Sequence, residues 1–348
     1  MRPPAPEPMF FYIIRRLISA VAMLFVITLA TYLLFFASPI DPASLTCSKN
    51  CTPAVIEGNR VKLGYDKPIP VQYANFLKGF VTTRYFPDDP ELRKTNPQAV
   101  FVCDAPCLGY SALRTQGVTD MVKTAAPATA SIAIAAFVMW IVFGVGFGII
   151  AALKRGRWQD RLLVGVSLVG YSLPTFFIGT LLYVFVSVQW GIIPISNVGY
   201  FPIGDNGPIA WAVGITLPAL TLAAVYAASY VRLTRAYMLE TLSEDYIRTA
   251  RAKGVKERTV IRRHGLRAAL TPIVTAAGLD LGGLLGGAII SEQVFNIQGL
   301  GKMAIVAIQQ TDLPSTVGVV LVAAFFIVIA NLIVDVLYGV IDPRVRLA

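Results

Sequence analysis

Charged side chains are scarce in this sequence. Only 14% of its 348 residues are Asp, Glu, Lys or Arg, whereas average soluble proteins carry about 25%. Hydrophobic residues make up 55% of the chain, and the mean hydropathy is +0.65. This composition excludes an ordinary soluble enzyme and favours a protein of the lipid bilayer. The net charge of +10 therefore does not by itself indicate a nucleic-acid partner, and we expect none.

Groups suited to catalysis or metal binding are also few. The one histidine, His264, lies among arginines, so neither a Ser-His-Asp triad nor a histidine-based metal site can be assembled convincingly. The phosphate-binding pattern G-x-x-x-x-G-K-[ST] does not occur, and the nearest string, at Gly301–Met303, lacks the hydroxyl that holds magnesium. We therefore expect no catalytic residue, no metal ligand and no ATP or magnesium bound by this chain.

Long uncharged stretches predict six membrane-spanning helices. Each stretch reaches the roughly 20 residues that a spanning helix needs, and one of them is interrupted only by Asp280. The stretches are Leu17–Ala37, Thr124–Leu153, Leu162–Gly204, Asn206–Val231, Ala268–Ser291 and Leu313–Val334. The third is long enough for one span plus an irregular tail, since glycines and prolines follow Trp190. The first exceeds the 7–15 residues usual for a signal-peptide core, so we interpret it as an uncleaved span.

Lysine and arginine in short loops predict the orientation of these spans. Four basic residues lie in Lys154–Arg161 and ten in Arg232–Arg267, with three before the first span and two after the last. The intervening short loops, Gln189–Gly207 and Glu292–Asp312, contain only Lys302. The bias predicts a plasma-membrane protein with both termini in the cytoplasm.

That orientation places an insertion outside the cytoplasm and divides the chain into three parts: residues 1–37, 38–123 and 124–348. The insertion, residues 38–123, has ten basic and eight acidic residues and contains every cysteine of the chain. The cysteines form two Cys-x3-Cys pairs: Cys47, Cys51, Cys103 and Cys107. In an oxidising compartment we expect two disulfides, of which three pairings are possible. Zinc binding is the alternative, although the insertion has no histidine to contribute. Its aromatic residues predict a small core beneath the disulfides, and these are Tyr65, Tyr73, Phe76, Phe80, Tyr85 and Phe86.

Glycines recur inside two of the uncharged stretches. Gly144, Gly146 and Gly148 lie within a span rather than after a strand, which favours close helix packing over a dinucleotide loop. A second set spaced by four residues shares one helix face and predicts the same kind of contact, and it consists of Gly278, Gly282 and Gly286.

The basic loop at residues 240–268 contains the signals of a short helix. Ser243 is a suitable N-cap, acidic residues follow it, and Gly254 can adopt the left-handed terminating conformation. A helix of about ten residues measures about 15 Å, too short and too charged to cross a bilayer. Glu244 and Arg248 are spaced for an i, i+4 pair. An apolar patch of Tyr246, Ile247 and Ala250 needs covering. The helix either rests on anionic lipid or inserts into a partner protein.

Several strings resemble the permease subunits of binding-protein-dependent ABC importers, specifically the dipeptide/oligopeptide class. The loop EDYIRTARAKG at Glu244–Gly254, followed by HGLRAALTPIVT, resembles the EAA loop of that family. Further matching strings are GYSLPTF at Gly170–Phe176, LPA at Leu217–Ala219, RLTR at Arg232–Arg235, EQVFNIQGLG at Glu292–Gly301 and NLIVDVLYGVIDPR at Asn331–Arg344. The resemblance extends from Tyr12 to Arg346. It implies an all-α membrane protein of six helices with the type I ABC importer permease fold.

The resemblance also implies a set of partners. These are a homologous second permease, two nucleotide-binding ATPase subunits that bind ATP and magnesium, an extracytoplasmic substrate-binding protein, a peptide substrate and membrane lipid. The loop helix would couple the permease to an ATPase subunit, with the family's loop glycine at Gly254 and the last alanine of its triplet at Ala250. Here Arg248 and Thr249 occupy the first two triplet positions. The coupling residues so implied are Glu244, Asp245, Tyr246, Ile247, Arg248, Ala250, Arg251 and Gly254.

Three residues within the spans are candidates for the translocation pathway. Asp280 lies near the middle of the fifth span, where a carboxylate is costly and usually faces protein or water. It either attracts the ammonium group of a peptide or serves structure alone, through an interhelical hydrogen bond or as a protonated acid. Ser172 and Phe176 flank Pro174 in the third span, where the proline predicts a kink.

Two rival functions use the same observations. The same scaffold imports another small solute, such as nickel or glutathione, or the chain is an ion-coupled secondary transporter. The short helix predicted in the loop at residues 240–268 argues against the secondary transporter. So does the sequence itself, because its second half does not repeat the basic pattern of its first half.

Overall fold

The computed structural model describes residues 9–36, 41–46 and 52–341. Five helical stretches among them are long and apolar enough to cross a membrane, and these are Ile14–Leu34, Val118–Leu153, Ile203–Ser243, Glu257–Val294 and Leu313–Val334. The pair Trp158–Ser172 and Thr175–Gln189, bent by 100°, supplies a sixth span when it is counted as one. The six predicted spans are thus present, and the chain is a multi-pass membrane protein.

The N-terminal third consists of one long helix and the short elements of the insertion. In chain order these are α1 (Met9–Phe36), α2 (Pro42–Leu45), α3 (Pro53–Leu63), α4 (Ile69–Lys78), β1 (Arg84–Phe86), α5 (Pro90–Thr95), β2 (Phe101–Cys103), β3 (Tyr110–Ser111) and β4 (Gln116–Gly117). The strands pair antiparallel, β1 with β2 and β3 with β4. Asp41 and Asp89 begin α2 and α5 by accepting amide hydrogen bonds from the first turn, as N-cap residues do.

The remaining two thirds are almost entirely helical. In chain order the helices are α6 (Val118–Trp140), α7 (Gly146–Leu153), α8 (Trp158–Ser172), α9 (Thr175–Leu182), α10 (Ile203–Ser243), α11 (Asp245–Ala252), α12 (Glu257–Thr259), α13 (Leu266–Leu285), α14 (Ile289–Val294), α15 (Leu300–Gln309) and α16 (Leu313–Ile341). Segments of wider π-helical turns join α6 to α7, extend α9 and join α12 to α13; they are Ile141–Val145, Tyr183–Gln189 and Val260–Gly265. Gly207, with φ of 80°, separates a short first turn from the body of α10.

The third span is broken rather than kinked. Leu173 and Pro174 both adopt extended conformations between α8 and α9, because the residue before a proline disfavours helix and the proline lacks an amide hydrogen. The 100° bend is much larger than the kink that we expected from Pro174. The end of this helical region at Gln189 agrees with the break predicted near Trp190.

The α6–α7 region packs closely against α10 through two of its glycines. A Cβ atom at Gly144 would lie 2.8 Å from the Tyr230 Cβ, and one at Gly148 only 2.5 Å from the Thr234 Cβ. Larger side chains at these positions would therefore push the helices apart. The packing prediction is confirmed for these two and wrong for Gly146, which has no such neighbour within 4 Å.

The second glycine set allows close packing between α13 and α16. A Cβ atom at Gly278 would lie 1.9 Å from Val334 Cγ2, one at Gly282 would lie 2.5 Å from the Ala330 Cβ, and Gly286 adjoins Ala323. These approaches confirm the predicted small-residue interface. The core nearby is centred on Trp140, which is fully buried and stacks on Tyr226 at 4.6 Å between ring centroids.

The insertion forms two aromatic clusters rather than the single predicted core. Tyr73 and Phe76 are buried against Tyr32 of α1, which fastens the insertion to the membrane helices. Phe86 instead packs against Tyr110 and the cysteine pair of the hairpin. The reason is that α4 packs against α1, whereas β1 pairs with β2 and its Phe86 stacks on Tyr110.

One of the predicted disulfides is present. Cys103 and Cys107 are bonded, with Cα atoms 5.5 Å apart, and both are buried. This bond excludes the zinc alternative for that pair. Cys47 and Cys51 lie outside the described residues.

Candidate functional site

The predicted helix of the basic loop is α11, at Asp245–Ala252. Gly254 has φ of 74°, the left-handed conformation expected of a terminating glycine. The predicted N-cap at Ser243 is wrong: this residue ends α10, and its hydroxyl donates to the Glu240 carbonyl at 2.7 Å. Glu244 occupies the cap position in an extended conformation, without a capping hydrogen bond from its side chain.

Only one residue of α11 is buried. Ile247 has no exposed surface and anchors the helix where it contacts α10 and the π-helical segment before α13. The predicted apolar patch is therefore partly covered by the chain itself, through the burial of Ile247. Tyr246 is 46% exposed, Arg248 is exposed and Ala250 is half-buried. The outer sides of the helix remain exposed.

Two ion pairs lie in the basic loop, one across Gly254 and one within α11. Arg251 donates two hydrogen bonds to the Glu257 carboxylate, at 2.7 and 3.1 Å, which joins α11 to α12. The pKa of Arg251 is raised by this hydrogen bond. Arg248 does not pair with Glu244 as predicted, because Asp245 lies closer, at 3.4 Å. That contact is exposed on both sides, so it contributes little to stability.

A buried ion pair ties the start of α8 to α10. Arg235 donates to both oxygens of the Asp160 carboxylate, at 2.6 and 2.9 Å, and the Gly156 amide donates to the same group at 2.9 Å. Asp160 is 4% exposed, so this bidentate pair is geometrically specific as well as strong. This pair was not predicted from the sequence, although an acid inside the basic segment Lys154–Arg161 is a usable signal. The pair places residues 154–161 and 232–267 at the same end of the bundle.

Asp280 makes an interhelical hydrogen bond. The Tyr230 hydroxyl of α10 donates to its carboxylate at 2.6 Å. Tyr230 is buried and Asp280 is half-buried, and the hydrogen bond engages one oxygen of the carboxylate. The interhelical hydrogen bond that was weighed as the structural alternative for Asp280 is therefore present, and the pathway role stays a prediction.

The other two pathway candidates lie on either side of the third-span break. Ser172 ends α8, where its hydroxyl donates to the Leu168 carbonyl at 2.8 Å, and Phe176 in the first turn of α9 is 57% exposed. The neighbouring Tyr171 ring lies 4.5 Å from the Arg232 guanidinium. The structure thus places Ser172 and Phe176 at an exposed bend and pairs Asp280 with a different helix.

The segment that begins at Glu292 forms a buried network of hydrogen bonds. Glu292 has no exposed surface, and its carboxylate accepts from the Thr129 hydroxyl at 2.7 Å and from the Lys302 amide at 2.8 Å. Thr129 in turn accepts from the Leu300 amide at 2.8 Å. The carboxylate therefore lies at the positive end of α15, where an anion is favoured. Ser291 extends this network to α10, because its hydroxyl donates to the Pro218 carbonyl.

Comparison with known proteins agrees with this architecture. Residues 144–347 match the family described as binding-protein-dependent transport system inner membrane component, and residues 9–133 match the N-terminal part of such components. A putative peptide transport system permease protein of Brucella abortus is 35% identical over 334 residues, covering 96% of this chain and 98% of that protein. The glutathione transport system permease protein of Escherichia coli K12 is 36% identical over 338 residues, covering 97% and 99%.

A solved structure shows the same fold. An inward-facing methionine ABC transporter aligns with a TM-score of 0.50 at 19% identity, covering 64% of this chain and 97% of that chain. The bundle of six spans, the short α11 between two of them and the two family matches lead to one assignment. The chain belongs to the binding-protein-dependent transport system inner membrane component family, the permease subunits of ABC importers.

Proposed function

We propose that this chain is one of two homologous permease subunits of an ABC importer for peptides, and that α11 docks onto a separate ATPase subunit. An extracytoplasmic binding protein delivers the peptide, and the ATPase subunits bind ATP and magnesium and hydrolyse the nucleotide. The chain itself is non-catalytic. The observation that carries the proposal is the construction of α11, a short helix anchored by one buried residue, Ile247, with all of its other residues except the half-buried Ala250 exposed.

Rigidity of the loop supports this role. Gly254 turns the chain back, the Arg251–Glu257 pair joins α11 to α12, and the helical chain continues into α13. A movement imposed on α11 by a partner is therefore transmitted to two spans, α10 and α13, whereas a flexible loop would absorb it.

The Asp160–Arg235 pair also supports the orientation. It joins the two most basic loops of the chain, so both lie at one membrane surface. Basic loops favour the cytoplasmic side. We infer that α11 faces the cytosol, where ATPase subunits operate, and that both termini are cytoplasmic.

The test is ATP-driven uptake by the reconstituted importer. Tyr246→Ala removes an exposed ring of α11, and Gly254→Glu forces a left-handed position on a residue with a Cβ atom, at a cost of about 1–2 kcal/mol. Both variants should remain in the membrane but lose uptake driven by ATP hydrolysis. Trp158→Ala is the matched control, because it removes another exposed aromatic at the same end of the bundle.

Labelled dipeptides to octapeptides, with glutathione beside them, identify the cargo. Normal uptake and normal ATPase co-purification in both loop variants would exclude docking through α11. Transport of glutathione without any of the peptides would exclude the peptide assignment, and transport by the chain without ATPase subunits would favour the ion-coupled alternative.

A further inference from the structure

A polar cavity lies where the insertion meets the ends of two membrane helices. It encloses about 340 Å³, within the range of cavities that hold small ligands. Its walls come from α1, from the insertion and from the start of α16, and they include Tyr32, Arg84 and Leu313. Tyr32 lies in the last turn of the span Ile14–Leu34, and Leu313 begins the span Leu313–Val334. The cavity is therefore level with the membrane surface.

Arg84 is the unusual group in this wall. It is half-buried, yet among the described residues its guanidinium makes no hydrogen bond or ion pair, and it lies 4.8 Å from the centroid of the Phe86 ring. Burial lowers its pKa, which reflects the cost of keeping a cation partly out of water. Two other arginines of the insertion, Arg60 and Arg93, each pair with an aspartate. Asp88 acts on Arg84 only from a distance, since its carboxylate bonds to Arg93. The part of the Arg84 guanidinium that faces the cavity therefore has its donors open to water or to an anionic ligand.

The local fold holds Arg84 in place. It lies opposite Cys103 in the β1–β2 pairing, and the disulfide to Cys107 closes the adjacent turn. The Cys107 amide donates to the Gly79 carbonyl at 2.8 Å. A Cβ atom at Gly79 would lie 2.8 Å from Arg84 Cδ, so the arginine stem occupies the space that a larger residue would fill. The disulfide, the glycine and the arginine form one rigid unit.

The charge of the wall identifies the ligand class. Its other cations include Lys62, Lys67 and Lys78, and Asp88, the one acid in the described wall, already pairs with Arg93. A cavity with excess positive charge and a guanidinium that has free N–H donors suits an oxyanion. Phosphate is such an anion, because two of its oxygens can accept parallel hydrogen bonds from one guanidinium.

Location then selects the source of the anion. Helix α1 exposes an apolar surface along most of its span, which places lipid directly beside the cavity. We propose that the Arg84 cavity binds the head-group phosphate of an anionic phospholipid in the adjoining leaflet, so that lipid holds the insertion against α1 and α16.

Native mass spectrometry of the full-length chain in detergent, titrated with phosphatidylglycerol or phosphatidylcholine, tests the proposal. The wild type should retain phosphatidylglycerol in preference to phosphatidylcholine. Arg84→Gln should weaken that retention by about tenfold or more, the usual effect of removing a charge-assisted hydrogen bond. Arg84→Lys should fall between the two, because it keeps the charge and loses the planar fork. Arg114→Gln, an exposed arginine of the same insertion outside this cavity, should bind as the wild type does.

A second variant tests the cavity without changing the half-buried Arg84, whose replacement could disturb the local fold. Lys78→Gln changes an exposed side chain of the rim and should weaken retention by about two- to fivefold. Equal retention by the wild type, Arg84→Gln and Lys78→Gln would overturn the proposal. So would full displacement of phosphatidylglycerol by an equal concentration of inorganic phosphate, because the site would then be one for a free anion.

Discussion

The buried carboxylate of Glu292 offers the sharpest test of how this permease holds its helices together. Glu292→Gln preserves the size of the side chain and replaces one oxygen by an amide nitrogen. Both carboxylate oxygens are occupied by donors, the Thr129 hydroxyl and the Lys302 amide. The new amide must therefore point its own hydrogens at one of these donors.

The magnitude follows from that geometry. Thr129 can accept a hydrogen from the new amide only by turning its own hydroxyl hydrogen away from residue 292, and the Lys302 amide cannot reverse at all, so one of the two hydrogen bonds donated to the carboxylate is lost either way. Loss of one charge-assisted hydrogen bond at a fully buried site costs about 1.5–3 kcal/mol. For a chain of this length that corresponds to a decrease in Tm of about 2–4 °C.

Thermal unfolding of the purified chain in detergent measures this difference. Asp205→Asn, which neutralises an exposed acid, is the control and should unfold at the wild-type temperature. If Glu292→Gln also unfolds at that temperature, the side chain is not acting as an ionised acceptor and the reasoning is refuted. Glu292→Ala should be more severe than Glu292→Gln, since it removes both acceptors and leaves a cavity.

Two further predictions concern polar contacts between helices. Asp160→Asn leaves Arg235 without its charge partner and should destabilise the chain by about 1–3 kcal/mol, less than for a fully buried pair because Arg235 is 29% exposed; thermal unfolding should show this decrease, with the exposed Arg161→Gln unchanged. Asp280→Asn keeps an acceptor for the Tyr230 hydroxyl, so the chain should fold normally while uptake of peptides with a free ammonium group falls. Unchanged uptake in Asp280→Asn, with reduced stability in Tyr230→Phe, would assign a purely structural role to this contact.

The spans could be predicted because the cost of charge in hydrocarbon is a property of each residue and needs no partner. The five long helices and the bent pair coincide with the uncharged stretches for this reason. The size of the bend at Pro174 could not be predicted, since the missing amide hydrogen is local but the new direction of α9 depends on its packing against α10 and α14. The same difference explains Ser243, which has a suitable side chain for a cap but lies where α10 still continues.

The helix of the candidate site could be predicted from the sequence, but the residues of that helix that are buried or exposed could not. Local signals located α11 and the left-handed Gly254, both of which depend on neighbours in sequence. The burial of Ile247 depends on how α10 and the π-helical segment Val260–Gly265 pack against α11, which the local helix signals do not reveal. Tyr230 and Asp280 lie 50 residues apart and Thr129 and Glu292 lie 163 apart, so neither contact can be read from one sequence without the fold.

The length of α10 determines how far movements at its end are reduced inside the membrane. From Tyr230 to Ser243 the helix rises about 20 Å at 1.5 Å per residue. A tilt of about 10° around the Tyr230–Asp280 contact would move the base of α11 by about 3.5 Å, but the Arg235 level by only about a third of that distance. If a partner displaces α11 as proposed, the movement that reaches α8 through the Arg235–Asp160 pair would therefore be about a third of the displacement at the loop.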